Sequence, residues 1–239
     1  MDAAFADAES LVFEMSPEEM SSPTLGMQMG QAAMRADGTP LNSELSPETI
    51  KLLDAWTTEN AAVLQAMGLT PQVLQMFEPW FVGLTISITE MTKQGLDPKL
   101  GLDANLAAQA AKAGKPATGL ETGVQQIAFL DGMDKDEQLQ FLNEALSQSK
   151  ESEAETAKLH HAWRAGNAKV LWDDMAVEMK KDYPRLYQRI NVARNDAWVP
   201  KIEKRLTAAG TDDALVVVGA LHLLGPDGVV EKLRAKGYT

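Results

Sequence analysis

The sequence predicts a helix-dominated α/β fold with a small, largely parallel β-sheet. Three short apolar runs suited to buried strands are separated by long stretches with helical spacing. The last run is β-branched and has no polar alternation, as expected for a strand buried on both faces of a parallel sheet. The 239 residues, 45% of them hydrophobic, can bury a substantial core, so we expect one elaborated domain over residues 1–239.

The sheet-forming parts are expected near both ends and in the middle of the chain. Their approximate bounds are residues 1–16, 115–121 and 213–239. In the first part, Leu11-Val12-Phe13 is a compact apolar run that ends before Glu14. In the second, a short strand leads to Glu121, and Pro116 favours a strand start or a sheet edge. In the third, Leu215 to Val218 forms the β-branched run.

Helices are predicted for most of the rest, including a large helical insert over about residues 122–209. Ser46-Pro47-Glu48 supplies a helix N-cap, a first-turn proline and a first-turn acid. An alanine-rich helix runs from Leu102 to Ala113. After the last strand, Pro226 is expected in the first turn of a final helix that Gly237 ends.

The composition excludes several classes of protein. A formal charge of −12 and a pI near 4.7 argue against non-specific nucleic-acid binding, because few cations remain to contact phosphates. The absence of cysteine excludes disulfides and thiolate metal sites. We expect no transmembrane segment, because the most apolar stretch, Trp80 to Ile88, is too short to cross a bilayer. Asp2 and Asp7 interrupt the region where a secretory signal would lie.

Each predicted strand is followed by a side chain that can bind a metal ion. These side chains are Glu14, Glu121 and His222, and they share one sheet edge if the strands are parallel neighbours. One histidine and two carboxylates suit manganese, cobalt or zinc, which acidifies bound water and polarises a carbonyl group. The alternative is that these residues have no role in metal binding. In that case the two acids lie on the surface at strand ends, and the histidine is buried with a hydrogen-bond partner.

His160 and His161 are expected to be ordinary structural or surface residues, and three tryptophans are expected to be packing residues. His160 and His161 lie inside the helical insert, and adjacent helical residues point about 100° apart, which disfavours a shared metal ion. Trp163, Trp172 and Trp198 are expected to pack in the core or between helices.

Four blocks of sequence carry a family resemblance. They are ADAESLVFEM (Ala6 to Met15), GLDANLAAQAAKAGKPATGLETGVQQIAFLDGM (Gly101 to Met133), RNDAWVPKI (Arg194 to Ile202) and VVVGALHLLGPDGVVEKLRAKGY (Val216 to Tyr238). In order and spacing these blocks resemble the TraB/GumN family, which includes the Tiki proteins. The resemblance implies a metal-dependent hydrolase that acts on a peptide or protein, with a fold related to erythromycin esterases and haem-binding ChaN-like proteins. It also implies an exported, periplasmic or cell-envelope protein in full-length form.

The resemblance also implies roles for individual residues. His222, in the G-x-x-H motif, is expected to bind the metal ion, and Glu14 to bind it or to accept a proton from its water. Glu121 is expected to be a further ligand or an acid. Arg194 is expected to stabilise an oxyanion or a substrate carboxylate, and the alternative is an ion pair within the helical region. Asn195 is expected to orient that arginine or to cap a break in the helix.

The sequence departs from the family pattern in one respect. Family members carry two G-x-x-H motifs, and the one that normally lies on an earlier strand is missing here. We therefore expect a fragment that lacks the first strand and has weak or no activity. The alternative is a naturally shortened, non-catalytic module that binds a peptide or a haem-like ligand.

Overall fold

A computed structural model describes residues 1–150, 153–208 and 212–239. The chain divides into two compact units. The first, which we call the sheet unit, comprises Met1–Leu25, Pro98–Gln126 and Ala154–Thr239. The second, the helical unit, comprises Gly26–Asp97 and Ile127–Glu153.

Among its described residues the sheet unit contains three parallel strands, which confirms the predicted helix-dominated α/β class. The strands are β1 (Ser10–Phe13), β2 (Ala117–Gly119) and β3 (Ala214–Val217), in the spatial order β2-β1-β3. Leu11 lies opposite Ala117 on one side and Leu215 on the other. The carboxyl ends of all three strands therefore lie at one edge of the sheet.

Helices account for most of the remaining chain. The α-helices are α1 (Asp2–Asp7), α2 (Pro17–Met20), α3 (Pro23–Ala32), α4 (Pro47–Glu59), α5 (Ala61–Ala66), α6 (Pro71–Leu74), α7 (Pro79–Lys93), α8 (Leu102–Ala113), α9 (Gly123–Asp131), α10 (Lys135–Gln148), α11 (Glu153–Arg164), α12 (Ala168–Trp172), α13 (Glu178–Asp182), α14 (Pro184–Tyr187), α15 (Ala193–Leu206), α16 (Ala220–Leu223) and α17 (Val229–Ala235). Two π-helical turns, Asp173–Val177 and Gln188–Val192, precede α13 and α15. Residues 122–208 contain only helices and turns wherever the structure describes them.

Local sequence explains where several helices begin and end. The Ser46 hydroxyl accepts a hydrogen bond from the Thr49 amide at the start of α4, as an N-cap does. Gly114 ends α8 with a φ of 69°, a left-handed conformation that favours glycine. The predicted start of the last helix at Pro226 is wrong. Pro226 lies in a turn closed by a hydrogen bond from the Gly228 amide to the Gly225 carbonyl, and α17 begins after that turn.

The core of the sheet unit covers both faces of the sheet. On one face, Val12 packs with residues of α15 and α17, including Trp198 and Val229. On the other face, Leu11 and Phe13 pack with residues of α8. Alternate residues of β1 are thus buried on opposite sides, which fixes its register and the position of the residue that follows it.

The helical unit has its own core, formed mainly by α4, α7 and α10. A Cβ atom at Gly83 would lie 2.9 Å from the Phe141 ring, so glycine allows α7 and α10 to approach closely. Asp134 and Glu137 form a reciprocal capping box that starts α10. In the part of the chain that the structure describes, every helix is too short or too polar to cross a membrane.

The tryptophans differ in their surroundings. Trp198 is fully buried and Trp172 packs against a small core cluster of the sheet unit, as predicted. For Trp163 we predicted packing in the core or between helices, and the core placement is wrong, because 45% of it is exposed. It lies on α11, where its ring stacks on that of His160 at a centroid distance of 6.2 Å.

Candidate functional site

The carboxyl edge of the sheet brings together residues that are far apart in sequence. Glu14 directly follows β1, Glu121 lies just after β2, and His222 lies on α16, which follows β3. The Glu121 amide donates to the Glu14 carbonyl at 2.8 Å, and the Gly219 amide donates to Glu14 Oε1 at 2.7 Å. Backbone groups at the ends of two neighbouring strands therefore hold Glu14 in place.

Gly219 is required here by space and not by an unusual backbone conformation. Its φ is −54°, which any residue adopts, but a Cβ atom would lie 3.2 Å from Glu14 Oε1. Any side chain at this position of the G-x-x-H motif would press on the carboxylate of Glu14.

Arg194 lies at the centre of the cluster, on α15. Its Nη2 atom donates to Glu14 Oε2 at 2.6 Å and to Glu121 Oε1 at 2.5 Å. Only 14% of the Arg194 side chain and 3% of the Glu121 side chain are exposed. Burial opposes the charge of Arg194, but hydrogen bonding by Glu121 and the charge of Glu14 raise its pKa above the usual value. The guanidinium therefore stays charged and bridges both carboxylates, compensating one of their two negative charges.

Glu121 is fixed by further donors. Trp198 Nε1 donates to Glu121 Oε2 at 2.9 Å, and Gln126 Nε2 donates to Oε1 at 2.9 Å. All these partners are donors, as a carboxylate requires. A buried carboxylate with this many donors is rigid and has few lone pairs left for another ligand.

The hydrogen bonds of His222 determine which ring nitrogen carries the proton. Asn195 Nδ2 donates to the Asp227 carbonyl at 2.8 Å, so the Oδ1 atom of the same amide accepts from His222 Nδ1 at 2.7 Å. On the other side of the ring, Arg194 Nη1, which can only donate, lies 3.1 Å from His222 Nε2. Both contacts assign the proton to Nδ1 and leave the lone pair of Nε2 facing the cluster.

The imidazole of His222 is neutral over the physiological range. Burial lowers its pKa from 6.5 to about 4, and the charge of Arg194 acts in the same direction, whereas the charge of Glu14 opposes it. Trp198 packs beside it, with ring centroids 4.5 Å apart, and the Arg194 guanidinium lies 4.8 Å from the Trp198 ring centroid. The indole is thus an apolar wall shared by the imidazole and the guanidinium.

The imidazole and the two carboxylates are of the chemical type that binds a divalent metal ion. In this structure, however, the Arg194 guanidinium already lies among them. His222 Nε2 and Glu14 Oε1 are 3.9 Å apart, a separation that two ligands of one ion can span. Glu121 is engaged by Arg194, Trp198 and Gln126. Among the described residues, no group of three or more histidine or acidic side chains is already assembled as a metal site.

The predicted site residues all lie in this cluster, but two make contacts that differ from the expected ones. Arg194 forms the ion pair that we considered as an alternative, yet with the acids of the sheet edge and not within the helical region. Asn195 orients His222 and not Arg194. The sequence interpretation missed the contribution of Trp198 to the cluster. Its position four residues after Arg194, on the same face of one helix, was the available signal.

Comparisons with known proteins identify the family to which the chain belongs. The family model described as "TraB/PrgY/gumN family" matches residues 1–239. The uncharacterized protein YbaP of Escherichia coli (strain K12) is 28% identical over 172 residues, which is 72% of this chain and 62% of that protein. YbaP of Shigella flexneri matches to the same extent, so the match spans less than two thirds of the length of these relatives. No solved structure matches significantly. The chain therefore belongs to the TraB/PrgY/gumN family.

Proposed function

We propose that the cluster at the carboxyl edge of the sheet is a hydrolytic centre that acts on peptide bonds with a divalent metal ion. The main support is the orientation of His222, whose unprotonated Nε2 atom faces Glu14 at 3.9 Å while Asn195 holds the opposite nitrogen. A histidine oriented by a second residue in this way is typical of metal ligands.

In this proposal His222 Nε2 and the Glu14 carboxylate hold manganese, cobalt or zinc. When bound, the ion lowers the pKa of its water and polarises the scissile carbonyl group. Glu121 would be a third ligand if Arg194 moved away from it, and in this structure it anchors that arginine. Asn195 acts through His222, so it is a positioning residue.

The charged groups of the chain suit the remaining chemistry. Glu14 is 23% exposed, more than Arg194, His222 or Glu121, so in its alternative role, in which it is not a ligand, it is the group best placed to accept a proton from an attacking water. The Arg194 guanidinium presents donors that stabilise negative charge as it develops on a carbonyl oxygen. Trp198 and the core beneath it exclude water from one side of the cluster.

Peptide cleavage with added metal ions tests the proposal. Because the first G-x-x-H motif is missing, we expect only slow cleavage of a quenched fluorescent peptide library in the presence of Mn²⁺, Co²⁺ or Zn²⁺, and EDTA to stop the reaction. His222→Gln should abolish cleavage, whereas His160→Gln, which alters a histidine of α11, should retain it. Equal rates in these two variants would refute the assignment of the site.

A second candidate function is binding without turnover, and a cleft beside β3 favours it. The cleft has a volume of about 410 Å³, and its wall is largely apolar. Leu102, Trp163 and Leu223 are among its lining residues. An apolar peptide or a haem-like ligand fits such a wall. Saturable binding of peptides, measured by fluorescence anisotropy and unaffected by metal ions or by His222→Gln, would favour this function over hydrolysis.

A further inference from the structure

We infer that Arg194 is a built-in cation that competes with a metal ion, so that the metal site forms only when the guanidinium leaves the carboxylates. This inference rests on the proposed function, because it concerns the same ligands. It adds that a single side chain of the protein regulates metal binding.

The contacts of Arg194 are the first argument. The guanidinium donates to all three expected ligands, at 2.6 Å to Glu14 Oε2, 2.5 Å to Glu121 Oε1 and 3.1 Å to His222 Nε2, and its Nε atom also donates to both oxygens of Glu121. The Nε2 atom of a neutral imidazole has a single lone pair, so at His222 the hydrogen bond from Arg194 and a metal ion exclude each other. At Glu14 the guanidinium occupies Oε2, next to the Oε1 atom that lies 3.9 Å from His222 Nε2.

The charge of the cluster is the second argument. Two carboxylates and a neutral imidazole carry two negative charges, and Arg194 compensates one of them. A divalent ion bound by Glu14 and His222 would lie within a few ångströms of the guanidinium, where repulsion is strong because little solvent intervenes. With 3% of Glu121 and 14% of Arg194 exposed, water screens these charges poorly.

A second arginine of α15 provides the control variant, which shows whether loss of one positive charge anywhere on the helix changes metal binding. Arg205 lies on the same helix and donates to the Thr118 hydroxyl at 2.8 Å in an exposed contact. Among the described residues its side-chain hydrogen bond goes to Thr118, whereas Arg194 donates to the acids of the cluster. Arg205→Gln therefore removes the same charge from the protein while leaving the cluster intact.

Titration with Co²⁺, followed by calorimetry and by visible absorption of the bound ion, tests the inference. We expect Arg194→Gln to bind Co²⁺ at least about tenfold more tightly than the unaltered protein, because a neighbouring positive charge is removed. Arg205→Gln should bind as the unaltered protein does. Adding His222→Ala to Arg194→Gln should remove the gain, since it deletes the nitrogen ligand.

A second pair of variants covers the case in which Arg194→Gln fails to fold because Glu121 remains charged and buried. Glu121→Gln removes that charge and keeps Arg194, whereas Glu121→Gln with Arg194→Gln removes both. The double variant should bind Co²⁺ at least about tenfold more tightly than Glu121→Gln alone, through Glu14 and His222.

The outcomes separate the inference from the proposed function. If the unaltered protein binds Co²⁺ and cleaves peptides, but loss of Arg194 does not tighten binding, the inference is overturned and the function is retained. If only the variants without Arg194 bind Co²⁺, the inference is supported and metal-dependent hydrolysis by the unaltered protein is refuted. If none of the folded variants binds Co²⁺, both are overturned.

Discussion

Each of the two units contains a buried arginine surrounded by acidic side chains. In the helical unit, the side chain of Arg35 is 2% exposed and lies 3.0 Å from Glu44 and 3.5 Å from Glu78. In the sheet unit, Arg194 is 14% exposed and bridges Glu14 and Glu121. The hydrogen bond that Arg35 donates to the Glu44 carboxylate raises the pKa of Arg35 despite burial, so both arginines stay charged.

The difference between the two clusters lies in their partners. Arg35 Nε donates to the Thr39 carbonyl at 2.8 Å and its guanidinium pairs with Glu44, so this arginine mainly fixes a loop close to it in sequence. Glu78 is an acidic partner farther along the chain. Arg194 has partners 73 and 180 residues away, at the ends of two strands, and it also contacts His222. A buried ion pair alone therefore does not mark a site. The histidine and the sheet edge distinguish the second cluster.

The largest predicted effect separates the two arginines by their contribution to stability. Arg194→Ala should lower the free energy of unfolding by about 3–5 kcal/mol, because it leaves the carboxylate of Glu121 buried and unpaired. Arg35→Ala should cost only about 1–3 kcal/mol, because its acidic partners are already partly hydrated. Urea unfolding of both variants measures the difference.

A double variant identifies the cause of the loss at Arg194. Arg194→Met combined with Glu121→Gln removes both charges of the buried pair, and its stability should lie within about 1–2 kcal/mol of the unaltered protein. If the double variant is as unstable as Arg194→Ala, the loss of stability comes from packing. The unpaired charge of Glu121 is then not its cause.

The next predicted effect is a dependence of stability on pH that arises from His222 in the sheet unit. The unfolded state takes up a proton at His222 near pH 6.5, whereas the native state resists protonation until about pH 4. The unfolded state therefore binds more protons between these values, and native stability decreases as the pH falls from 6.5 to 4, by up to about 3 kcal/mol. Unfolding of the metal-free protein at a series of pH values should show this decrease. His222→Gln should flatten it and His160→Gln should not.

A smaller effect compares two buried asparagines. Asn195→Ala should cost about 1–2 kcal/mol, because the Nδ1–H group of His222 loses its acceptor. Asn60→Ala in the helical unit should cost a similar amount, since Asn60 Nδ2 donates to the Trp56 carbonyl. Only Asn195→Ala should change the ¹⁵N chemical shifts of the His222 ring. If the tautomer is unchanged in that variant, Asn195 is not the residue that sets it.

The smallest effect concerns an acid of the helical unit. Glu44 is 21% exposed and shares Arg35 with Glu78 and Asp37. Glu44→Gln should therefore lower the free energy of unfolding by less than about 1 kcal/mol. A loss as large as that of Arg194→Ala would show that the Arg35 cluster is as tightly coupled as the one at the sheet edge.

The sequence predicted the sheet and its edge because those features are local. Each strand is a short apolar run, and the acids at 14 and 121 follow their runs closely, so strand identity and residue position could be predicted together. The parallel arrangement placed those ends at one edge once the strands paired. The class of fold followed from the same runs.

The sequence could not predict the bridge through Arg194 or the division into two units. Whether Arg194 meets Glu14 depends on how α15 packs on the sheet across 180 residues, and no local pattern encodes that packing. The division likewise depends on α7 packing against α10, which are separated in sequence by α8, β2 and α9. Helix propensity indicates where helices form, but it does not determine which elements they pack against.

The indole of Trp198 makes the cluster observable by light. It is one of five tryptophans, it is fully buried, and it touches an imidazole, a guanidinium and a carboxylate. Indole emission depends on the charge and hydrogen bonding around the ring. Replacing the other four tryptophans with phenylalanine would therefore yield a protein whose fluorescence reports directly on this cluster in real time.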